Sequence, residues 1–399
     1  MNDDVELREY QEGERVRGYL DDATALAFRQ RFGKYVTLDF PTPANDAWTF
    51  KADGTVGYFP LDAERGVRVR PKVAVRNVVG MLARAYDLPV EILERSHDVD
   101  TLDDAFGYLA GHLARSVLKR TKRGLAKAYQ PRHDNLPVVR GRIDVSAQVR
   151  RPIGTRFACH YQEHTFDIHD NRVLRWTLLY LSRARLRDPA VKGQVRLAQH
   201  TLAAVVAAVP VHPQDAVARY YDRLRQDYRS MHALCQLFLD HLTPTLHRGK
   251  AESMPLLIAM PALFERYVFA VLHEHLRRHW PDLRLCAQKH APVTVGVSFK
   301  IDLVIQDASG RTLLVLDTKY KNHTTPSSQD VQQAVAYAER MGCEWAALVY
   351  PQTMGLEPFS IGRKQICCLG IDLASDVREA AAAFCAVVDG VLGDIDEGG

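Results

Sequence analysis

Long apolar stretches are missing from this 399-residue chain: no run of about 18 uncharged apolar residues occurs, so no membrane-spanning helix is expected. The N-terminal MNDDVELREYQEGER is acidic and polar and lacks the basic start and apolar core of a secretory signal. The seven cysteines are scattered, odd in number and without a C-x-x-C pair. A disulfide framework or a zinc site is therefore not expected, and a reducing cytoplasm fits. No Gly-x-Ser-x-Gly is present to support a serine hydrolase. No Gly-x-x-x-x-Gly-Lys-Ser/Thr is present either, since Gly249-Lys250 is followed by Ala251, so nucleotide binding through a P-loop is not expected. His-Glu-x-x-His is absent, and the nearest candidate, His273, His275 and His279, sits beside Arg277 and Arg278 as a solvated helix end would. Repeats and low-complexity tracts are missing too.

What is present is ordinary soluble material, 47% apolar and 25% charged, with a net charge of +4. The length exceeds one usual core, so several domains are expected. Residues 1–97 read as a β-rich domain ending in a helix. Asp53-Gly54 is a turn signal between the extended runs Trp48–Lys51 and Thr55–Phe59. The segment from Gly66 to Pro71 alternates apolar and basic residues, as a half-buried strand does, and Val73–Tyr86 has helical apolar spacing. Residues 98–250 read as mainly helical, with helices over Asp104–Leu118, Asn171–Leu186, Val195–Val209 and Ala216–Leu242. A less regular basic segment, Pro131–Tyr161, lies among them. Between Arg115 and Arg156 twelve Lys and Arg face only Asp134 and Asp144, an excess that suits a phosphate backbone or, equally, a solvated basic face. Residues 251–399 read as a compact α/β domain. Pro261 opens a helix with Leu263, Phe264, Tyr267, Val268, Val271 and Leu272 on one side. Strand-like runs at Val293–Ile305 and Thr312–Tyr320 follow, then a helix near Gln329–Met341 and a buried strand, Trp345–Tyr350.

The chemically informative stretch runs from Phe299 to Lys321 and reads as a β-hairpin turning at Ser309-Gly310. Counting from that turn sets Asp302 opposite Asp317, with Cβ atoms about 5 Å apart. Asp317 and Lys319 are two apart and share a face of their strand. Two carboxylates and an ammonium would thus converge, a set suited to Mg2+ (Mn2+ is an alternative) and to phosphodiester hydrolysis. Asp317-Thr-Lys319 is the only Asp/Glu-x-Lys in the chain and ends the apolar run Leu313–Leu316, where a charge is costly unless paired or liganded.

These residues resemble the PD-(D/E)xK nuclease superfamily. More narrowly, Leu316-Asp-Thr-Lys-Tyr-Lys321 resembles the McrC-type nuclease subunit of McrBC modification-dependent restriction systems. Further blocks resemble that family in the same order: Val69-Arg-Pro-Lys72, Arg123-Gly-Leu125 with Tyr129, Val139-Arg-Gly-Arg142, Asp170-Asn-Arg172, Leu263-Phe-Glu265 and Ala347-Leu-Val-Tyr-Pro351. One departure is Ile301, where the family usually has proline before the first Asp. The resemblance implies an α+β multidomain protein with a C-terminal restriction-endonuclease-like domain, an endodeoxyribonuclease acting on double-stranded modified DNA beside an McrB-like AAA+ GTPase hexamer. It implies Asp302, Asp317 and Lys319 as catalytic residues and Glu265 as a third metal carboxylate, although Glu265 also reads as a helix-edge acid beside Arg266. Gln333 and Tyr337, one helical turn apart, are similar to a supporting Gln-x-x-x-Tyr of RecB-like nucleases, or are a half-exposed helix face. Arg140, Arg142 and Lys321 are implied DNA contacts, with Arg142 alternatively paired to Asp144 or Asp170. Arg68, Arg70 and Lys72, taken as exposed, are implied motor contacts or a structural strand face. A nuclease acting alone or with another motor, and a non-catalytic adaptor on a AAA+ ring, remain alternatives.

Overall fold

The computed structural model describes residues 4–10, 14–16, 20–43, 48–62, 65–89, 100–150, 154–217, 220–242, 255–294, 296–321 and 325–398. It is a mixed α/β chain whose contacts form two compact units, Met1–Ala105 with Leu257–Gly399, and Phe106–Leu256. The sequence-based boundaries at 97/98 and 250/251, and the Gly249–Ala251 segment, lie outside the described residues. Among the described residues no helix is long and apolar enough to cross a membrane.

The first unit holds a four-stranded sheet in the order Val5–Arg8, Gly66–Arg70, Thr55–Pro60, Leu257–Ala259. Gly54 (φ 69) makes the expected turn, but the strands it joins, Trp48–Ala52 and Thr55–Pro60, enter different sheets. Trp48–Ala52 instead pairs with Glu14–Val16 and Val36–Asp39. A helix the sequence reading missed, Asp22–Phe32, is capped by the Asp21 carboxylate on the Thr24 amide. It buries only Ala25, Phe28 and Phe32, a stripe too sparse to register as a period, and those rings pack on Phe50 and Phe59.

The same unit holds a six-stranded sheet in the order Arg284–Thr294, Val297–Gln306, Thr312–Thr318, Trp345–Tyr350, Lys364–Gly370, Phe359–Ile361. The expected single run Val293–Ile305 is two antiparallel strands, because Gly296 (φ 80) lies between them in a turn conformation that suits glycine. The next hairpin turns as expected, with Gly310 (φ 89) donating its amide to the Asp307 carbonyl. Thr312–Thr318 and Trp345–Tyr350 run parallel, so the helix Ser328–Met341 is the crossover between them. Its Ala334, Tyr337 and Ala338 pack with Val304, Val315, Ala346, Leu348 and Ile366 of the sheet. The helix Met260–His279 buries the expected row from Leu263 to Leu272.

The second unit contains Leu102–Arg123 in part, His169–Leu181, Pro189–Ala203 and Gln226–His241. The last is shorter than the expected Ala216–Leu242, because it begins only at Gln226. The segment read as irregular is a correction. Ala128–Leu136 pairs antiparallel with Phe157–Thr165 along nine residues, and Arg142–Ile143 adds a third strand. Its side chains are mostly half-exposed or exposed on both faces, so the alternation that marks a half-buried strand never appears in the sequence. The Asp170-Asn-Arg172 block is architectural. Fully buried Asn171 donates to the carbonyls of Ala126 and Phe166 and accepts from the Tyr228 hydroxyl. Asn171→Ala strands those three groups and is expected to destabilise this unit by about 2–4 kcal/mol. Urea unfolding followed by hydrogen exchange in His169–Leu181 checks it, and an unchanged midpoint would refute the architectural role.

Candidate active site

Asp317 and Lys319 sit at the C-terminal end of Thr312–Thr318 and just beyond it, at the end of the parallel strands where open α/β sheets place their sites. The ladder that pairs Leu303 with Leu316 and Val304 with Val315 makes Asp302 and Asp317 the next opposed positions. The Asp302 carboxylate reaches across the hairpin, where its Oδ2 accepts from both the amide and the hydroxyl of Thr318, each at 2.8 Å. The Lys319 amide is anchored to the Val349 carbonyl of the adjacent strand at 2.8 Å. Side chains two apart therefore point together toward the crossover helix.

Lys319 Nζ lies 2.6 Å from Asp317 Oδ2, donates to Gln333 Oε1 at 2.8 Å and lies 3.6 Å from Asp330 Oδ1. Gln333 passes its amide N–H to the Tyr337 hydroxyl, which donates to the Lys300 carbonyl. That chain fixes the amide orientation, so Gln333 presents oxygen to the ammonium. The Asp317 side chain is 5% exposed and that of Lys319 12%. Burial, joined by the charges of Asp302 and Asp330, pushes the Asp317 carboxyl up to about 6 despite Lys319. Burial disfavours the Lys319 ammonium, but Asp317, Asp330 and Asp302 outweigh it and raise its pKa. Despite the close ammonium, Asp317 Oδ2 is buried without a hydrogen-bond donor in good geometry.

Glu265 stands on the helix Met260–His279 close enough to Asp302 to feel its charge. Burial first, then Asp302, hold its carboxyl above the usual range. Its Oε1 accepts from Gln288 Nε2 at 3.1 Å. Gln288 falls opposite Asp302 in the register of the edge strand and has φ 48, a left-handed conformation rare for a residue with a Cβ. Sequence reading missed Gln288, since nothing in a strand's composition signals a positive φ. It also missed Asp330, buried at the start of the crossover helix, where its carboxylate binds Lys321 at 2.8 Å and its amide donates to the Ser327 hydroxyl oxygen that caps the helix. A carboxylate in a first helical turn is ordinary, and nothing in it signals a second partner.

The structure thus brings together Asp302, Asp317, Lys319, Glu265, Gln333 and Tyr337. Lys321 is beside them, but its ammonium is engaged by Asp330. Arg140 and Arg142 belong to the other unit's ribbon. Arg140 lies over the Tyr161 ring at 4.2 Å, and Arg142 is exposed on the strand facing His160. The alternative pairing of Arg142 is corrected, because Asp144 takes His160 and Asp170 takes Arg225. The exposure expected for Arg68 and Lys72 is also corrected. Arg68 is ion-paired to Asp103 and Asp4, and Lys72 lies over the Tyr320 ring, whereas Arg70 is exposed beside Glu6. His275 hydrogen-bonds Asp389 and stacks on His279. Among the described residues no group of three or more His, Cys, Asp or Glu side chains is arranged as a metal cage.

Comparison with known proteins bears on most of this chain. The Escherichia coli (strain K12) type IV methyl-directed restriction enzyme EcoKMcrBC is 23% identical over 269 residues, covering 63% of this chain and 74% of that protein. A chain in the refined half-complex from the tetradecameric assembly of Thermococcus gammatolerans McrB AAA+ hexamers with bound McrC has a similar fold. It covers 97% of this chain and 100% of its own length at a TM-score of 0.59 and 19% identity. The profile of the family described as McrBC 5-methylcytosine restriction system component matches residues 50–351, from the strand at Trp48–Ala52 through both site strands and the crossover helix. The chain therefore belongs to the McrBC family of 5-methylcytosine restriction-system components, as a member of McrC type.

Proposed function

We propose that this chain is the Mg2+-dependent nuclease subunit of an McrBC-like complex, cutting double-stranded modified DNA delivered by a AAA+ GTPase of McrB type. The observation that carries the reading is the convergence of Asp302, Asp317 and Lys319, with the Asp317 carboxylate buried beside Asp302 and its Oδ2 2.6 Å from the Lys319 ammonium. The donor set suits a hard cation that keeps several waters of its own: two carboxylates on neighbouring strands and a third at Glu265. Asp302 gives one oxygen to Thr318, and its other oxygen and the Asp317 carboxylate would be the groups that hold the ion. Mn2+ would suit the same oxygens. When bound, the ion lowers the pKa of a water and offsets charge on a phosphoryl oxygen.

The protein's own groups do the rest. Lys319, held by Gln333 and Asp330, orients the attacking water and stabilises the charge that develops on phosphate. The Gln333–Tyr337 chain keeps the ammonium in place, and Gln288 holds Glu265 toward Asp302. The mixed sheet with its crossover helix supports a restriction-endonuclease-like reading of this domain. Arg140 and Arg142, just before and at the start of the ribbon's third strand, are our proposed DNA guides. Arg70 is the remaining exposed candidate for motor contact on the N-terminal sheet. The E. coli relative is described as methyl-directed, and the T. gammatolerans McrC is bound to McrB hexamers, which supports the choice of substrate and partner.

The test is cleavage of cytosine-methylated plasmid with Mg2+, nucleotide and the purified motor, comparing wild type with Asp317→Ala. Cutting by wild type alone is the expected result. Equal cutting by both would move the chemistry elsewhere. No cutting by either, with assembly and nucleotide hydrolysis intact, would favour a non-catalytic adaptor.

A further inference from the structure

Both elements that carry the site end on one buried cluster that the chemistry does not use. Tyr320, the residue after Lys319, is 3% exposed, and its ring lies 5.8 Å from that of Phe264, the residue before Glu265. Its hydroxyl donates to Glu9 Oε1 at 2.9 Å. Glu9 is 2% exposed, follows the strand Val5–Arg8, and takes a second bond on the same oxygen from the Lys72 amide at 2.8 Å. The Lys72 ammonium lies 3.9 Å from the centre of the Tyr320 ring and 5.2 Å from that of Tyr10. Lys72 is thereby the terminal residue of the Val69-Arg-Pro-Lys72 block, and Tyr320 belongs to the Asp317-x-Lys319 block. Two blocks about 250 residues apart in sequence meet within one compact unit.

Simple core packing would choose apolar groups here. The cluster instead keeps a carboxylate and an ammonium out of water with part of their bonding capacity unused: Glu9 Oε2 and Lys72 Nζ are buried without hydrogen-bond partners. Burial lowers the Lys72 ammonium to about 8 and raises the Glu9 carboxyl. Such groups cost stability unless their directional contacts serve something else. The Lys72 amide bond closes Glu9 within the N-terminal sheet, and the contact that leaves that sheet is the one from Tyr320, one residue from Lys319, on a segment anchored otherwise through the Lys319 amide and Thr318.

We propose that Glu9, Lys72 and Tyr320 form a clasp by which the N-terminal sheet positions the strand end bearing Asp317 and Lys319. None of the three touches substrate in this reading; they are positioning residues, and their effect on cleavage rests on the nuclease assignment above. The clasp gives Lys319 a fixed backbone on both sides, with Thr318 tied to Asp302 and Tyr320 tied to Glu9. Loosening one side lets the ammonium leave the arrangement in which it faces Asp317 and Gln333. Displacements of about 1 Å at such a group lower rates by up to roughly a hundredfold.

The experiment uses the full-length chain as Tyr320→Phe, Glu9→Ala and Glu9→Gln. Tyr320→Phe removes only the hydroxyl and keeps the ring for Phe264 and Lys72. Glu9→Gln keeps an oxygen acceptor for Tyr320 and the Lys72 amide. The first readout needs no cleavage: hydrogen exchange of the segment from Asp317 to Lys321, with His169–Leu181 as the internal reference. Tyr320→Phe and Glu9→Ala are expected to speed exchange of the Lys319 amide about tenfold, and Glu9→Gln to leave it near wild type. The second readout is single-turnover cleavage in the complete complex. There the rate at saturating DNA is expected to fall about tenfold in Tyr320→Phe, with the half-saturating DNA concentration unchanged, and to be rescued in Glu9→Gln. Wild-type exchange of the Lys319 amide in Tyr320→Phe would by itself overturn the clasp, as would faster exchange of His169–Leu181 to the same degree. If Glu9→Ala does not fold, Tyr320→Phe decides alone. If wild type itself cuts nothing, the nuclease reading fails and the exchange data still accept or reject the clasp.

Discussion

Lys319→Met is expected to slow DNA cleavage by roughly a hundred- to a thousandfold, the loss typical when a charge-stabilising group leaves a water-poor site. Methionine keeps most of the side chain's length and volume, so Gln333 and the neighbouring strand lose a donor but little packing. What remains is Asp317, 5% exposed, with its nearest cation gone and the charges of Asp302 and Asp330 still beside it. Burial and those charges already hold its carboxyl near 6, so without the ammonium it takes up a proton at neutral pH. Because the carboxyl can neutralise itself, the loss of stability is limited to about 1–3 kcal/mol rather than the larger figure for an obligatory buried ion. Lys319→Arg is not expected to rescue cleavage, because a planar guanidinium cannot satisfy Asp317, Gln333 and Asp330 from one point. Single-turnover cleavage with the motor present, alongside urea unfolding of the isolated chain, checks both parts. Cleavage by Lys319→Met within a few-fold of wild type would remove the ammonium from the chemistry.

Asp302 separates a structural duty from a chemical one. Its Oδ2 accepts two bonds from Thr318 and so joins the two site strands at their open end. Asparagine can offer one oxygen to the same donors but carries no charge. Asp302→Asn is therefore expected to unfold at the wild-type urea midpoint yet lose cleavage by at least about a hundredfold, together with its affinity for Mn2+ measured by titration calorimetry. Asp302→Ala also leaves the Thr318 amide without its acceptor and should lose about 1–3 kcal/mol of stability besides. An Asp302→Asn chain that binds Mn2+ and cuts as wild type would limit Asp302 to the structural duty. Stability lost equally by both variants would show that the Thr318 bonds need the charge.

The local part of the site was legible because it obeys strand arithmetic. The turn at Ser309-Gly310 and the period of two were enough to oppose Asp302 to Asp317 and to set Lys319 on the same face. The helix after it was legible from apolar spacing, which also put Gln333 and Tyr337 on one face. The helix Met260–His279 was readable from Pro261 and its buried row. These features depend on contacts among residues near in sequence, where geometry follows from spacing alone.

Tertiary structure alone decided the rest. Gln288 opposes Asp302 only because Gly296 folds one apparent strand into two, and its positive φ leaves no trace in composition. The ribbon of Ala128–Leu136 and Phe157–Thr165 escaped detection because neither face is buried enough to impose alternation. Arg68 looked like a surface charge until Asp4 and Asp103 were brought against it. Asp330 carries no signal of its own in the sequence, and only the return of the chain beside Thr312–Thr318 makes it the shared partner of Lys319 and Lys321. Lys72 and Glu9 were separated from Tyr320 by most of the chain. Charge and polarity are written in the sequence, but which charges share a low-dielectric space is set by long-range packing, and that packing is what turns Asp317 and Lys319 from a tripeptide into a site.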